Sequence, residues 1–170
     1  MDTEAWGIAY DSSFIKIRVS PDKTRLFFEL KQQGGQSDHE KMIHGILEAL
    51  IQYQILSLNV DHIRWAGKHK EISLAIDNVR VDFAIFFKNE MIHLEVKSER
   101  EALFDSTYTQ VETVRRKQRI VGLVVPASCF DAVDKALRFR RLYNKVFPVV
   151  YEHLIEDPAK ELTNLISLAQ

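Results

Sequence analysis

The amino-acid sequence predicts one mixed α/β domain spanning all 170 residues. An accessory β-hairpin occupies 1–33. A core over 37–126 runs helix, three-strand meander, helix, strand. A C-terminal part, 127–170, adds a basic helix, a strand and a terminal helix. Three observations predict this order. Apolar residues recur at helical spacing after Ser37. Short runs alternate apolar and polar residues between Glu71 and Lys97. The run Ile120–Val125 is apolar on both faces, as a central strand requires.

The elements follow in order. "FIKIRV" alternates apolar and basic residues, "TRLFFEL" returns, and "SPDK" between them supplies a turn with Pro21 at its first central position. "KQQGGQSD" reads as a polar linker broken by Gly34 and Gly35. In "SDHEKMIHGILEALIQYQIL", Ser37 or Asp38 caps a helix whose buried face carries Met42, Ile43, Ile46, Leu47, Leu50 and Ile51. "EISLAI", "VRVDFAIFF" and "MIHLEVK" form the meander, with turns at Asp77-Asn78 and Lys88–Glu90. "EALFDSTYTQVETVRRKQR" is a second helix facing inward through Leu103, Tyr108, Val111 and Val114. "IVGLVVP" is the buried strand. "SCFDAVDKALRFRRLYNKV" is a third helix capped by Ser128, "FPVVYE" a last strand, and "DPAKELTNLISLA" a terminal helix with Pro158 in its first turn.

Composition sets the function classes. Hydrophobic residues are 46% and charged residues 28% of the chain, a globular balance. The single cysteine, Cys129, forms no internal disulfide, so a reducing, cytoplasmic setting is expected. The acidic opening "MDTEAWGIAY" does not read as a signal peptide, and no apolar run approaches the ~18 to 20 residues that span a bilayer. Net charge is −1, against bulk coating of nucleic acid. The distribution is uneven, however. Nine basic residues face three acids between Val111 and Lys145, a local excess of +6 that suits contact with a polyanion.

Asp82, Glu95 and Lys97 are ionisable groups inside apolar strand text, where charge is costly unless it is used. Strand parity puts His93, Glu95 and Lys97 on one face and Arg80, Asp82 and Ala84 on one face of the preceding strand. A two-residue loop at Lys88-Asn89 sets Asp82 across from Glu95. A loop at Asn89-Glu90 sets Asp82 across from Lys97 instead. Either register gathers the three side chains, whereas a three-residue loop without a bulge would split them; two neighbouring carboxylates call for a cation between them. Magnesium is commonly held by one or two carboxylates with water and a phosphate. Lys97 is then placed to act on a water or to balance phosphate charge, and the group suits metal-assisted phosphodiester hydrolysis.

"VDFAIFFKNEMIHLEVKS" resembles the signature of the PD-(D/E)XK nuclease superfamily, an Asp opening one strand and Glu-x-Lys on the next. Asp82 and Glu95-Val96-Lys97 match it, and Val81 stands where the family usually writes proline. The element order from Ser37 to Pro126 is similar as well, so the resemblance covers about half of the chain. It implies a restriction-endonuclease-like core, as in restriction enzymes and Holliday-junction resolvases, and Mg2+ or Mn2+ held by Asp82 and Glu95. It implies a helix acid as a further metal ligand, for which Glu40 is preferred over Glu48, and a site-facing Gln110 on the next helix. The expected activity is endonucleolytic DNA hydrolysis by a homodimer with one site per strand. Arg115, Arg116, Arg138, Arg141 and Lys145 are the expected phosphate contacts, with Arg138/Arg141 and Arg141/Lys145 sharing helix faces. The alternative is an inactive nuclease-fold module that binds DNA or protein.

Overall fold

The computed structural model describes residues 5–11, 15–19, 21, 26–30, 37–53, 55, 64–65, 72–73 and 82–170. Along the chain lie β1 (Gly7–Asp11), β2 (Ile15–Val19), β3 (Leu26–Leu30), α1 (Asp38–Gln52), β4 (Arg64–Trp65), β5 (Ile72–Ser73), β6 (Phe83–Phe87) and β7 (Glu90–Val96). Then come α2 (Asp105–Lys117), β8 (Ile120–Val125), α3 (Phe130–Phe139), β9 (Val146–Val150), α4 (Tyr151–Glu156) and α5 (Pro158–Leu168). The architecture is mixed α/β.

The main sheet has four strands in the order β6-β7-β8-β9. β6 and β7 are antiparallel, whereas β7, β8 and β9 run parallel. Parallel neighbours need crossover connections, which α2 and α3 supply. All six residues of β8 are buried, as expected for a central strand covered on both faces. Gly122 shows what covers one face. A Cβ built there would lie 2.8 Å from Leu94 Cδ2, 3.2 Å from Leu165 Cδ1 and 3.3 Å from Val149 Cγ2. Helix α5 therefore packs close on this face through Leu165, and a Cβ would displace the Leu94 side chain from the neighbouring strand. Helix α4 joins β9 to α5 and packs on α1, where Tyr151 lies against Gly45. Helices α2 and α3 take the opposite face, joined through Arg140 and Asp105. The core between these layers includes Ile46, Leu50, Phe83, Leu94, Val111, Leu123 and Leu162.

Several sequence expectations change in detail. The N-terminal hairpin is a three-stranded antiparallel sheet, because β1 pairs with β2 ahead of the expected pair. Val19 pairs with Leu26, so the connection is longer than a four-residue "SPDK" turn, and most of it lies outside the described residues. The described part of "EISLAI" is β5, which pairs with β4 in a separate two-stranded sheet. Asp77-Asn78 and Gly34-Gly35 lie outside the described residues. Leu103 is 54% exposed rather than inward, because α2 begins only at Asp105. "FPVVYE" splits, its last two residues opening α4.

Helix α3 departs most. Ser128 does not cap it. It lies in a 3-10 turn, Ala127–Cys129, that precedes the helix. The helix ends at Phe139 in a Schellman arrangement: Arg141 donates its amide to the Arg138 carbonyl, and Leu142 to that of Leu137. Arg141 occupies the left-handed position at φ 59°, where glycine is usual. Leu137 and Leu142, both buried, supply the hydrophobic contact of the motif. Arg141 and Lys145 thus lie beyond the helix and share no helix face with each other or with Arg138. By contrast, α5 starts as expected, with Pro158 in its first turn and Asp157 accepting the Lys160 amide at 3.2 Å. No helix among the described residues is long and apolar enough to cross a membrane.

Candidate functional site

The β6–β7 turn sets the site. Lys88 and Asn89 both have positive φ, 49° and 63°, as a two-residue type I′ loop demands. Phe87 pairs with Glu90 and Phe83 with Leu94. This is the Lys88-Asn89 register among those the sequence allows, and it carries Asp82, just ahead of β6, to the position across from Glu95. Both carboxylates lie at the same end of the strand pair and both are buried, Asp82 being 1% and Glu95 3% exposed.

Each acid is held by specific partners. Asp82 Oδ2 accepts the Val96 amide at 2.6 Å. That bond fixes the carboxylate against the end of β7 in place of another ladder bond. Lys97 Nζ stands 3.6 Å from Glu95 Oε1, its side chain 15% exposed against 4% for that of Glu95. Lys97 remains attached to the sheet through its own amide, which donates to the Val124 carbonyl at 2.9 Å. The ammonium is therefore anchored at its base and reaches the rim where the parallel strands end.

Two residues that the sequence reasoning missed complete the cluster. His39, in the first turn of α1, has Nε2 3.6 Å from Asp82 Oδ1 and Nδ1 3.5 Å from Glu101 Oε1. Glu101 is itself fixed, accepting from the Ser98 amide at 3.2 Å and the Ser98 hydroxyl at 2.8 Å. A chain of polar contacts thus runs from Asp82 through His39 to Glu101 and back to the loop that follows β7. Nothing in the sequence pairs these positions, since the contacts exist only once α1 packs beside the strand ends.

The other expected residues are placed less tightly. Glu40 follows His39 in the first turn of α1 and is half-buried; its amide donates to Ser37 Oγ at 3.1 Å, so Ser37 is the cap. Glu48 points elsewhere, exposed and 3.2 Å from His44. Gln110 is half-buried on α2. Tyr108 is committed to the loop, its hydroxyl donating to the Ala102 carbonyl at 2.8 Å. Among the expected phosphate contacts, Arg115 donates to the Lys145 carbonyl at 3.1 Å, Arg116 pairs with Glu112 at 3.3 Å and Arg138 with Asp134 at 3.1 Å. Arg116, Arg138, Arg141 and Lys145 are exposed.

The donors suit one kind of ion. Two carboxylates are what magnesium takes from a protein when water and phosphate complete its shell. Among the described residues no group of three or more His, Cys, Asp or Glu side chains is poised to hold a metal, so the structure does not bring Glu40 into one ligand set with Asp82 and Glu95. The surroundings remain acidic past the cluster. Cys129 near the end of β8 has its thiol pushed up by burial, then by the charges of Glu99 and Glu152. Glu152 accepts the Ala127 amide at 2.8 Å.

The fold and side chains thus define a mixed α/β domain with two buried acids and a lysine at the rim of its main sheet. Comparison with family models, with curated proteins and with solved structures returns no match.

Proposed function

We propose that this chain is a divalent-metal-dependent deoxyribonuclease, an endonuclease with a restriction-endonuclease-like core. The observation that carries the reading is the register that aligns buried Asp82 with buried Glu95, with Lys97 Nζ 3.6 Å from the latter. Lys97 lies beside Glu95 and His39 beside Asp82, and a divalent ion shared by the two buried acids would compensate their charge further. Asp82 and Glu95 would be the protein ligands for Mg2+ or Mn2+, with water and phosphate completing the shell. When bound, the ion would polarise the scissile phosphate and lower the pKa of an attacking water. Glu95 orients Lys97, whose ammonium balances charge on the phosphate or moves a proton at the attacking water. Gln110 contacts a phosphate oxygen. The exposed basic side chains of α2 and the segment after α3 hold the DNA backbone without reading sequence. A homodimer would cut both strands.

The test is cleavage of supercoiled, linear, branched and single-stranded DNA in magnesium or manganese, beside Lys97→Ala. Equal cleavage by the two proteins, or none on any substrate, removes the enzyme reading.

A second reading, an inactive nuclease-fold module that binds DNA or protein, is favoured by one observation. Asp82 already accepts the Val96 amide and has His39 beside its other oxygen, so its carboxylate has a structural use without metal.

A further inference from the structure

Large apolar side chains are exposed on the α2–α3 side of the molecule. Phe139 is 88% exposed, Phe104 50% and Tyr143 49%. The chain segments that carry Phe104 and Phe139 are tied together. Asp105 and Arg140 form an ion pair, and these residues directly follow Phe104 and Phe139, so the pair brings the two aromatic-bearing segments side by side. The Schellman turn at Arg141 then reverses the chain and presents Tyr143, over whose ring the Arg138 guanidinium lies 5.2 Å from the centroid. Beyond Tyr143 a cavity of about 270 Å³ is lined by Arg115, Arg116 and Lys145, with Leu142 and Glu112.

Aromatic rings interleaved with cations suit a ligand that has flat faces and a polyanionic backbone at the same time. Protein and anionic lipid surfaces also take aromatic and cationic side chains together, so it is the adjoining basic cavity, which suits a chain of phosphates, that points to the occupant. Duplex DNA needs the cations but offers its bases no route to the rings, since they are stacked and paired. We propose that Phe139 and Tyr143, with Phe104 beside them, form a stacking platform for unpaired bases of a single-stranded nucleic-acid segment, its phosphates seated along Arg115, Arg116 and Lys145. Phe104 lies three residues beyond Glu101, so the platform begins where the site loop ends. The inference rests on the nucleic-acid part of the proposed function and is independent of the hydrolytic part.

The test uses the full chain in EDTA, with dye-labelled oligothymidylate of about 20 nucleotides and a duplex of similar length, read by fluorescence anisotropy. Phe139→Ala is expected to weaken oligothymidylate binding about tenfold and leave duplex binding within about twofold, and Phe139→Trp is expected to restore it. Equal losses on both DNAs would reduce the surface to phosphate contacts and overturn the platform. So would unchanged binding, including the case in which Phe139→Ala turns a dimer into a monomer by sedimentation, which would assign the surface to a second copy. Cleavage of the same DNAs in magnesium, beside Asp82→Asn, separates the two proposals. Absent cleavage with intact single-strand binding removes hydrolysis alone, and the converse removes the platform alone.

Discussion

Asp82 carries two duties that substitution can separate. Its Oδ2 satisfies a buried backbone amide at 2.6 Å, and its charge is the proposed share in holding the ion. Asp82→Ala removes both. A hydrogen bond to a charged group contributes about 1.5–3 kcal/mol, and here its loss also leaves the Val96 amide buried without its acceptor. The expected loss of stability is therefore about 2–3 kcal/mol. For a chain of 170 residues this corresponds to a Tm lower by roughly 5–10 °C. Asp82→Asn keeps a carbonyl oxygen that accepts the same amide, so its expected loss stays below about 1 kcal/mol. Cleavage should fall at least about a hundredfold in both variants, and DNA affinity in EDTA should hold in Asp82→Asn. Urea denaturation, plasmid cleavage and anisotropy measure the three quantities. Asp82→Asn cutting at close to the wild-type rate would refute the metal role. Loss of stability and DNA affinity together in Asp82→Asn would make the residue structural.

The remaining predictions test the lysine, the core, a helix end and the thiol. Lys97→Ala should lower cleavage by roughly 10²–10⁴-fold while DNA affinity in EDTA changes little, checked by single-turnover cleavage and anisotropy. Gly122→Ala must push into Leu94, Leu165 and Val149 and should cost about 1–3 kcal/mol in urea denaturation, with activity at low temperature retained. Arg141→Gly relieves a left-handed backbone and should raise stability by up to about 1 kcal/mol while weakening DNA binding through the lost charge. Cys129 should react with iodoacetamide more slowly than in the urea-unfolded chain. Its rate should inflect at a higher pH than that of the unfolded chain, since burial and the acids Glu99 and Glu152 disfavour its thiolate.

What could be read from the sequence follows from where the determining contacts lie. β8 was legible because a run apolar on both faces has few uses other than a central strand, and α1 because Met42, Ile43, Ile46, Leu47 and Leu50 repeat at its period. The face shared by Glu95 and Lys97 was legible from parity alone. The register was not, because Lys88-Asn89 forms its turn without the glycine that would have marked it. The end of α3 was hidden for the same reason, with Arg141 standing at the usual glycine position, and this misplaced the basic side chains beyond it. The six residues of α4 follow β9 without a breaker and are too few to show a period. His39 and Glu101 could not be linked to Asp82 by any spacing rule, since their meeting depends on how α1 packs.

The charge of the rim constrains how DNA would engage it. Asp82 and Glu101 flank His39, Glu95 lies beside Lys97, and Glu99 and Glu152 extend the negative field toward Cys129. A phosphate approaching this rim without a metal ion meets more carboxylates than cations, and the low dielectric around buried Asp82 and Glu95 screens that repulsion poorly. The exposed basic residues lie on α2 and on the segment after α3 instead. On the proposed reading, the two regions therefore bind DNA by different rules. The basic region attracts phosphate at all times and yields to salt. The rim would accept phosphate only once a divalent ion offset its acids, which would couple the proposed strand scission to metal occupancy even with DNA already bound. Under that proposal the division would hold DNA without committing it to cleavage, in keeping with buried acids and exposed basic side chains.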